Sequence, residues 1–356
     1  VTINDAEIIA RPLTVSDVGG TKTYNNSTDS NGLNGATVTF TPSGLQGDDS
    51  NPLTATWTGT YASVNVGSSY TLTAQFASSN SNYSAPANVT INDAAITVKP
   101  LTVSNVTATK PYDGSDTRAG VTVGYALAGL QSGDSDPLTG SLTGDYSAEA
   151  VASNYAVTAQ FVSSNSNYSA PANVAINDAV ITRKQLTVTS PSATKPYDGD
   201  NTATSSQVAF TTVGRVGSEA VTVSGTGTFA ALTAGTHNVA LTYALAGSDA
   251  GNYIVPVNQT VTNGGTINKL ALGISGVSVA TKTYNGARAA TITIPSGSLS
   301  NVLAGDSANV TVTGSGDFPS ENVGSQTVPV TYTLAGSAAG NYTKPANENI
   351  SGSIIA

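Results

Sequence analysis

Tyr70-Thr71-Leu72-Thr73-Ala74-Gln75-Phe76 alternates apolar and polar residues at every step. A period of two places all four apolar side chains on one face of an extended strand, whereas a helix would scatter them around its axis. The same face returns as Tyr155, Val157, Ala159 and Phe161. In a second form it returns as Val239, Leu241, Tyr243 and Leu245, and as Val328, Val330, Tyr332 and Leu334. One strand met four times in 356 residues means one domain met four times.

Two landmarks keep the register of these copies. Thr21-Lys22-Thr23-Tyr24-Asn25, Thr109-Lys110-Pro111-Tyr112-Asp113-Gly114, Thr194-Lys195-Pro196-Tyr197-Asp198-Gly199 and Thr281-Lys282-Thr283-Tyr284-Asn285-Gly286 are one motif, with lysines 88, 85 and 87 residues apart. Asn-Tyr recurs at Tyr83, Tyr168, Tyr253 and Tyr342, at intervals of 85, 85 and 89. The repeats therefore occupy 12–99, 100–184, 185–269 and 270–356, and residues 1–11, which parallel 89–99, read as the closing strand of a preceding repeat. Repeats 1 and 2 share Ser-Ser-Asn-Ser-Asn-Tyr-Ser-Ala-Pro-Ala-Asn-Val, and repeats 3 and 4 share Leu-Ala-Gly-Ser, so the copies fall into two pairs and the array mixes two subtypes. An opening strand (Leu13 to Val18, Leu101 to Val106, Leu186 to Thr189) and a closing strand (Val89 to Val98, Val174 to Thr182) flank the rest. Several short strands in about 87 residues, punctuated by Gly, Pro, Asn and Asp, predict an all-β chain: a tandem array of immunoglobulin-like antiparallel β-sandwich domains.

Composition narrows the setting. Charged residues make up only 10%, so Thr, Ser, Asn and Gly form most of the wet surface, a composition that suits an extracellular protein. Cysteine is absent, which excludes a disulfide framework, a thiolate metal site and a cysteine nucleophile. A net charge of −9 argues against nucleic acid and anionic membrane as partners. No apolar run approaches the roughly 20 residues of a spanning helix. The chain begins at Val1 and lacks methionine, so a longer gene product is expected.

Lys-Pro-Tyr-Asp-Gly after a Leu-Thr-Val-Ser strand, closed by Asn-Tyr and an Ile-Asn-Asp or Ile-Asn-Lys strand, resembles the YDG and MBG repeat domains of large secreted bacterial adhesins and filamentous-haemagglutinin-like proteins. Repeats 1 and 4 depart from that pattern, with Asn25-Asn26 and Asn285-Gly286 in place of Asp-Gly. The resemblance implies a non-catalytic stalk on the bacterial cell surface whose partners are the neighbouring repeats. Other copies of the chain, or extracellular polysaccharide, are the partners under the alternative readings of a self-assembling filament or surface-layer subunit, or of a carbohydrate- or protein-binding adhesive module.

Each conspicuous residue has a plain structural reading beside a functional one. The eight recurring tyrosines could stack on sugars, but a tyrosine beside a turn in a β-sandwich more often packs inward and bonds its hydroxyl to backbone. Trp57, the single tryptophan, reads as core before sugar platform. Asp113 with Asp116, Asp134 with Asp136, Asp198 with Asp200, and Asp48-Asp49 bring hard oxygens close enough to nominate Ca²⁺. Local backbone capping in turns explains the same residues, so no cofactor is expected. Seven lysines sit either in the motif or at the repeat junctions (Lys99, Lys184, Lys269), and Lys344 lies apart. A Lys-to-Asn amide crosslink of the kind found in some surface-adhesin sandwiches would join Lys110 to Asn167, yet no acid recurs to catalyse it, since Glu219 and Asp306 fall out of register. A lysine bonded to backbone, its stem covering apolar surface, is the simpler reading. His237 is the only histidine and occurs in one repeat, so no Ser-His-Asp arrangement can repeat, and no catalysis is expected. The junctions lack flexible Gly/Ser linkers and carry Pro12 and Pro100, which predicts stiff links and an extended array on the order of 140 Å long.

Overall fold

The computed structural model describes residues 7–31 and 35–356 and resolves into two compact units, residues 1–182 and 183–356. Each unit holds two of the repeats. Among the described residues every regular element is a strand or a three-residue 3₁₀ turn.

In the first unit the strands of repeat 1 form one five-stranded sheet. Their order is Thr37–Ser43, Thr14–Thr23, Val89–Thr97, Gly67–Ser78 and Leu53–Thr58. Repeat 2 forms the same sheet from Thr122–Ala128, Thr102–Pro111, Val174–Thr182, Ala152–Ser163 and Leu138–Leu142. The period-two reading is visible in burial, with Leu72, Ala74 and Phe76 inward and Thr71 and Gln75 outward. The sheet bends until its two edges face each other across the core. Phe40 and Phe76 meet edge to face at 5.2 Å, as do Tyr125 and Phe161 at 5.3 Å. A Cβ on Gly140 would come within 2.9 Å of Val123, from the opposite edge strand. This closure gives the two-layer sandwich that a single sheet face needs to bury its apolar side.

Within these antiparallel-rich sheets one pairing is parallel. The opening strand runs antiparallel to Thr37–Ser43, shifts register between Ser16 and Gly19, and continues as a parallel partner of Ala95–Thr97. The shift is made by Asp17 at φ 52°, and the same left-handed step occurs at Asn105, Ser190 and Gly276. Asn, Asp and Gly tolerate that conformation best, and the local kink re-aims the strand toward its second partner.

The second unit varies the plan. Repeat 3 forms a six-stranded sheet that includes Thr187–Pro196, Gln259–Asn268 and Gly235–Ala246. Repeat 4 keeps a four-stranded sheet of Lys282–Thr283, Glu348–Ile355, Gly324–Ala335 and Thr311–Ser315, with two separate strand pairs beside it. One apolar cluster runs from Ala193, Phe229, Val239 and Leu241 in repeat 3 to Leu272, Val310 and Tyr342 in repeat 4.

Links between repeats are themselves paired. Lys99–Pro100 lies parallel to Tyr168–Ser169, and Leu270–Ala271 lies parallel to Tyr342–Thr343. Only Val98 separates the closing strand of repeat 1 from the first strand of repeat 2, and only Lys269 separates repeats 3 and 4. The closing strand expected at 1–11 falls largely outside the described residues. Glu7 to Ala10 are exposed and carry no strand, while Arg11–Pro12 pairs with Tyr83–Ser84.

Candidate functional site

The motif lysines hold their own loops. Lys110 Nζ donates to the carbonyls of Ser115 (2.9 Å) and Thr117 (2.8 Å), and Lys195 Nζ to those of Asp200 (3.0 Å) and Thr202 (2.8 Å). Lys22 reaches Ser27 and Asp29, and Lys282 reaches Ala287 and Ala289, the same steps along the chain. Lys22, Lys110 and Lys195 are buried. Burial holds the Lys22 ammonium below the usual lysine range, against a smaller opposing pull from Asp29. Asp113 and Asp198 add ion pairs to Lys110 and Lys195 at 2.9 and 2.7 Å. The next side-chain oxygen caps the turn in every copy: Asn25, Asp113, Asp198 and Asn285 each accept the N–H two residues on, at 3.0–3.1 Å. Asn and Asp share that oxygen, so the Asn-for-Asp departures leave the turn intact. Asn26, at φ 56°, likewise takes the left-handed place of Gly114 and Gly199.

The Asn-Tyr mark forms a second recurring unit. Each of Tyr83, Tyr168, Tyr253 and Tyr342 is buried, and its hydroxyl accepts a backbone N–H, from Gln46, Gln131, Val216 and Leu303 in turn, at 2.9–3.1 Å. The hydroxyl then donates to a carboxylate three residues further along: Asp49, Asp134, Glu219 and Asp306. These acids lie 85, 85 and 87 residues apart, so an acid does recur. Glu219 and Asp306 are therefore in register, contrary to the expectation from sequence.

The two marks meet between repeats within each unit. In the first unit Tyr24, from repeat 1, donates its hydroxyl to Asp134 of repeat 2 at 2.9 Å, onto the same oxygen that receives Tyr168 at 2.5 Å. The rings pack edge to face at 5.2 Å and 78°. Asn167 completes the contact, accepting the Val66 N–H at 2.8 Å and donating to Asn65 at 3.0 Å. In the second unit Tyr197 and Tyr342 share Asp306 at 2.8 and 2.6 Å, with rings 5.5 Å apart, and Asn341 accepts the Ala234 N–H at 2.9 Å. Burial first, then the bond to the carboxylate, pushes the Tyr168 and Tyr197 hydroxyls up to about 12. A hydrogen bond to a charged acceptor contributes about 1.5–3 kcal/mol and an edge-to-face pair about 0.5–1.5 kcal/mol, so each joint is stiffened by several such terms.

The remaining candidates are placed as follows. Tyr112 is buried, whereas Tyr284, expected to pack inward, is 52% exposed. Trp57 is buried against Gly20, where a Cβ would fall 2.1 Å from the indole. Repeat 2 has Ala108 and Leu142 at the matching places, both buried, so a smaller partner there leaves room for a Cβ. Lys110 and Asn167 belong to separate networks, the lysine to its own loop and the carboxamide to repeat 1, so their geometry does not prepare an amide bond. Of the calcium candidates, Asp136 caps Leu138 and receives Tyr125, Asp200 caps Thr202, and Asp116 is exposed. Among the described residues no three acids or histidines gather into a metal-holding group. His237 contacts the Thr233 carbonyl at 2.7 Å.

Residues 182–262 and 268–349 match the YDG domain, in two copies. One copy holds Tyr197-Asp198-Gly199 and the other Tyr284-Asn285-Gly286. No curated protein matches the chain. The crystal structure of the protocadherin gammaB4 extracellular domain aligns over 97% of this chain and 67% of its own, at 9% identity and a TM-score of 0.21.

Proposed function

We propose that this chain is a non-catalytic spacer segment of a bacterial extracellular adhesin or surface fibre, projecting a binding region away from the cell. The observation that carries the reading is the joint. Within each unit the linker is one residue long, and two buried tyrosines converge on one carboxylate across the repeat boundary. A spacer needs neighbours held at a fixed angle, and a catalyst would have no use for the same joint built repeatedly. The two YDG copies and the charge-poor, hydroxyl-rich composition support the same reading. Pulling single molecules by their ends tests it. Each repeat of about 87 residues, extended at roughly 3.6 Å per residue, should release on the order of 280 Å in its own step. A single release of the whole chain in one event would defeat the spacer reading.

A further inference from the structure

Tyrosine rings meet edge to face in two different settings. Tyr61 with Tyr70 and Tyr146 with Tyr155 lie inside one repeat, 5.3 and 5.2 Å apart. Their hydroxyls lead away from each other: Tyr61 reaches the Ala95 carbonyl, Tyr70 donates to that of Asn65, and Tyr155 to that of Ala150. Tyr24 with Tyr168 and Tyr197 with Tyr342 instead cross a repeat boundary, 5.2 and 5.5 Å apart. Here both hydroxyls of a pair donate to one carboxylate oxygen, Oδ2 of Asp134 or of Asp306. A shared acceptor holds the two oxygens, and with them one ortho carbon of each ring, on the same side of the contact. Those ortho carbons carry much of the unpaired spin of a phenoxyl radical.

We propose that each joint is a site of oxidative crosslinking, at which Tyr24 and Tyr168, and Tyr197 and Tyr342, are joined ortho to ortho as dityrosine. Each bond consumes two equivalents of a one-electron oxidant, such as a haem peroxidase turning over hydrogen peroxide. Each phenol gives up one electron and its hydroxyl proton, and the half-buried carboxylate of Asp134 or Asp306 takes that proton and passes it to water. The two phenoxyl radicals couple through their ortho carbons, and the two ortho hydrogens then move to the oxygens as the rings regain aromaticity. The product has lost two electrons and two protons, which with hydrogen peroxide as terminal oxidant leave as two molecules of water. Its two hydroxyls flank the new bond and still reach the same carboxylate. Backbone N–H groups of Gln131 and Leu303 face the Tyr168 and Tyr342 oxygens throughout and stabilise the radicals. All four rings are buried, which keeps the radicals from partners on other molecules. A cleft of about 350 Å³, lined among others by Lys22, Tyr24, Lys99 and Gln131, gives a small oxidant a way to the first pair. The crosslink goes beyond the spacer reading and stands on the joint geometry alone, since a spacer works without it.

Brief photo-oxidation of the whole chain with tris(bipyridyl)ruthenium and persulfate, followed by proteolysis and peptide mass mapping, tests it. Linked peptides joining Tyr24 to Tyr168 and Tyr197 to Tyr342, each two hydrogen atoms lighter than the sum of its parts, should appear. They should form about tenfold or more faster than links from Tyr61 to Tyr70 or from Tyr146 to Tyr155, because the shared acceptor fixes the approach of the reacting carbons. Tyr24→Phe should abolish the first link and leave the second. Asp134→Asn keeps both phenols but removes the base, and should slow the first link about threefold or more, with the second link as internal standard. Pulled by its ends, the linked chain should withhold the loop from Tyr24 to Tyr168, roughly 500 Å of extension. Absence of both joint links, links within a repeat that form as fast, joint links that form equally well in denaturant, or a first link indifferent to Asp134→Asn would each overturn the proposal.

Discussion

Replacing Asp134 with alanine removes the oxygen on which two buried hydroxyls from different repeats converge. Tyr168 keeps one bond, because its hydroxyl still accepts the Gln131 N–H, while Tyr24 loses its charged acceptor on repeat 2 and keeps only the Asn167 side chain there. Two bonds to a charged acceptor at about 1.5–3 kcal/mol each, partly offset by water reaching the half-buried site, give an expected loss of about 2–4 kcal/mol in unit 1. In a tandem array, stability is a sum of repeat and interface contributions, so the loss should be felt in repeat 1 although the substitution is in repeat 2. Trp57 makes this measurable, because it is the only tryptophan and is buried in repeat 1. With a urea m-value of about 2 kcal/mol/M, its fluorescence transition should move down by roughly 1–2 M. Tyr24→Phe should cost less, and the Tyr24→Phe/Asp134→Ala double variant should show a coupling of about 1 kcal/mol or more. A Trp57 transition unmoved by Asp134→Ala would refute the joint as an energetic link between repeats.

Further outcomes follow from the same geometry. The Tyr168 and Tyr197 hydroxyls titrate near 12 in the folded chain against about 10 unfolded, so their stabilisation is complete below pH 10 and is lost as pH rises towards 12; thermal melts between pH 8 and 12 should show a falling midpoint. Lys110→Met strands the Ser115 and Thr117 carbonyls and the Asp113 carboxylate, and should cost about 2–4 kcal/mol by denaturant titration. Gly20→Ala forces a Cβ against the Trp57 ring and should destabilise by about 1–3 kcal/mol, while adding Trp57→Leu, which copies the Ala108 and Leu142 pair of repeat 2, should recover most of the loss.

Repetition and strand period were legible because they depend on residue type at fixed spacing. Leu72, Ala74 and Phe76 face the core as their alternation requires. The motif lysines could be seen to recur, and their role as loop staples follows from a long stem with a strong donor among backbone carbonyls. The joint acid was hidden for two reasons. It changes from Asp to Glu at Glu219, and in repeat 1 Asp48 sits beside Asp49 and blurs the alignment. Its partner Tyr24 lies more than a hundred residues away in sequence, and no local pattern announces such a contact. The parallel pairing was hidden because the left-handed step that directs it is carried by four different residues, Asp17, Asn105, Ser190 and Gly276. What they share is a backbone angle.

Small-angle X-ray scattering from a dilute solution of the whole chain tests the spacer account most directly. Strands of about ten residues make a repeat some 35 Å long, and four repeats held end to end would span on the order of 140 Å, with a radius of gyration near 40 Å. The account predicts those values, unchanged on further dilution. A radius of gyration near 20 Å, about that of one compact domain of this length, would contradict it.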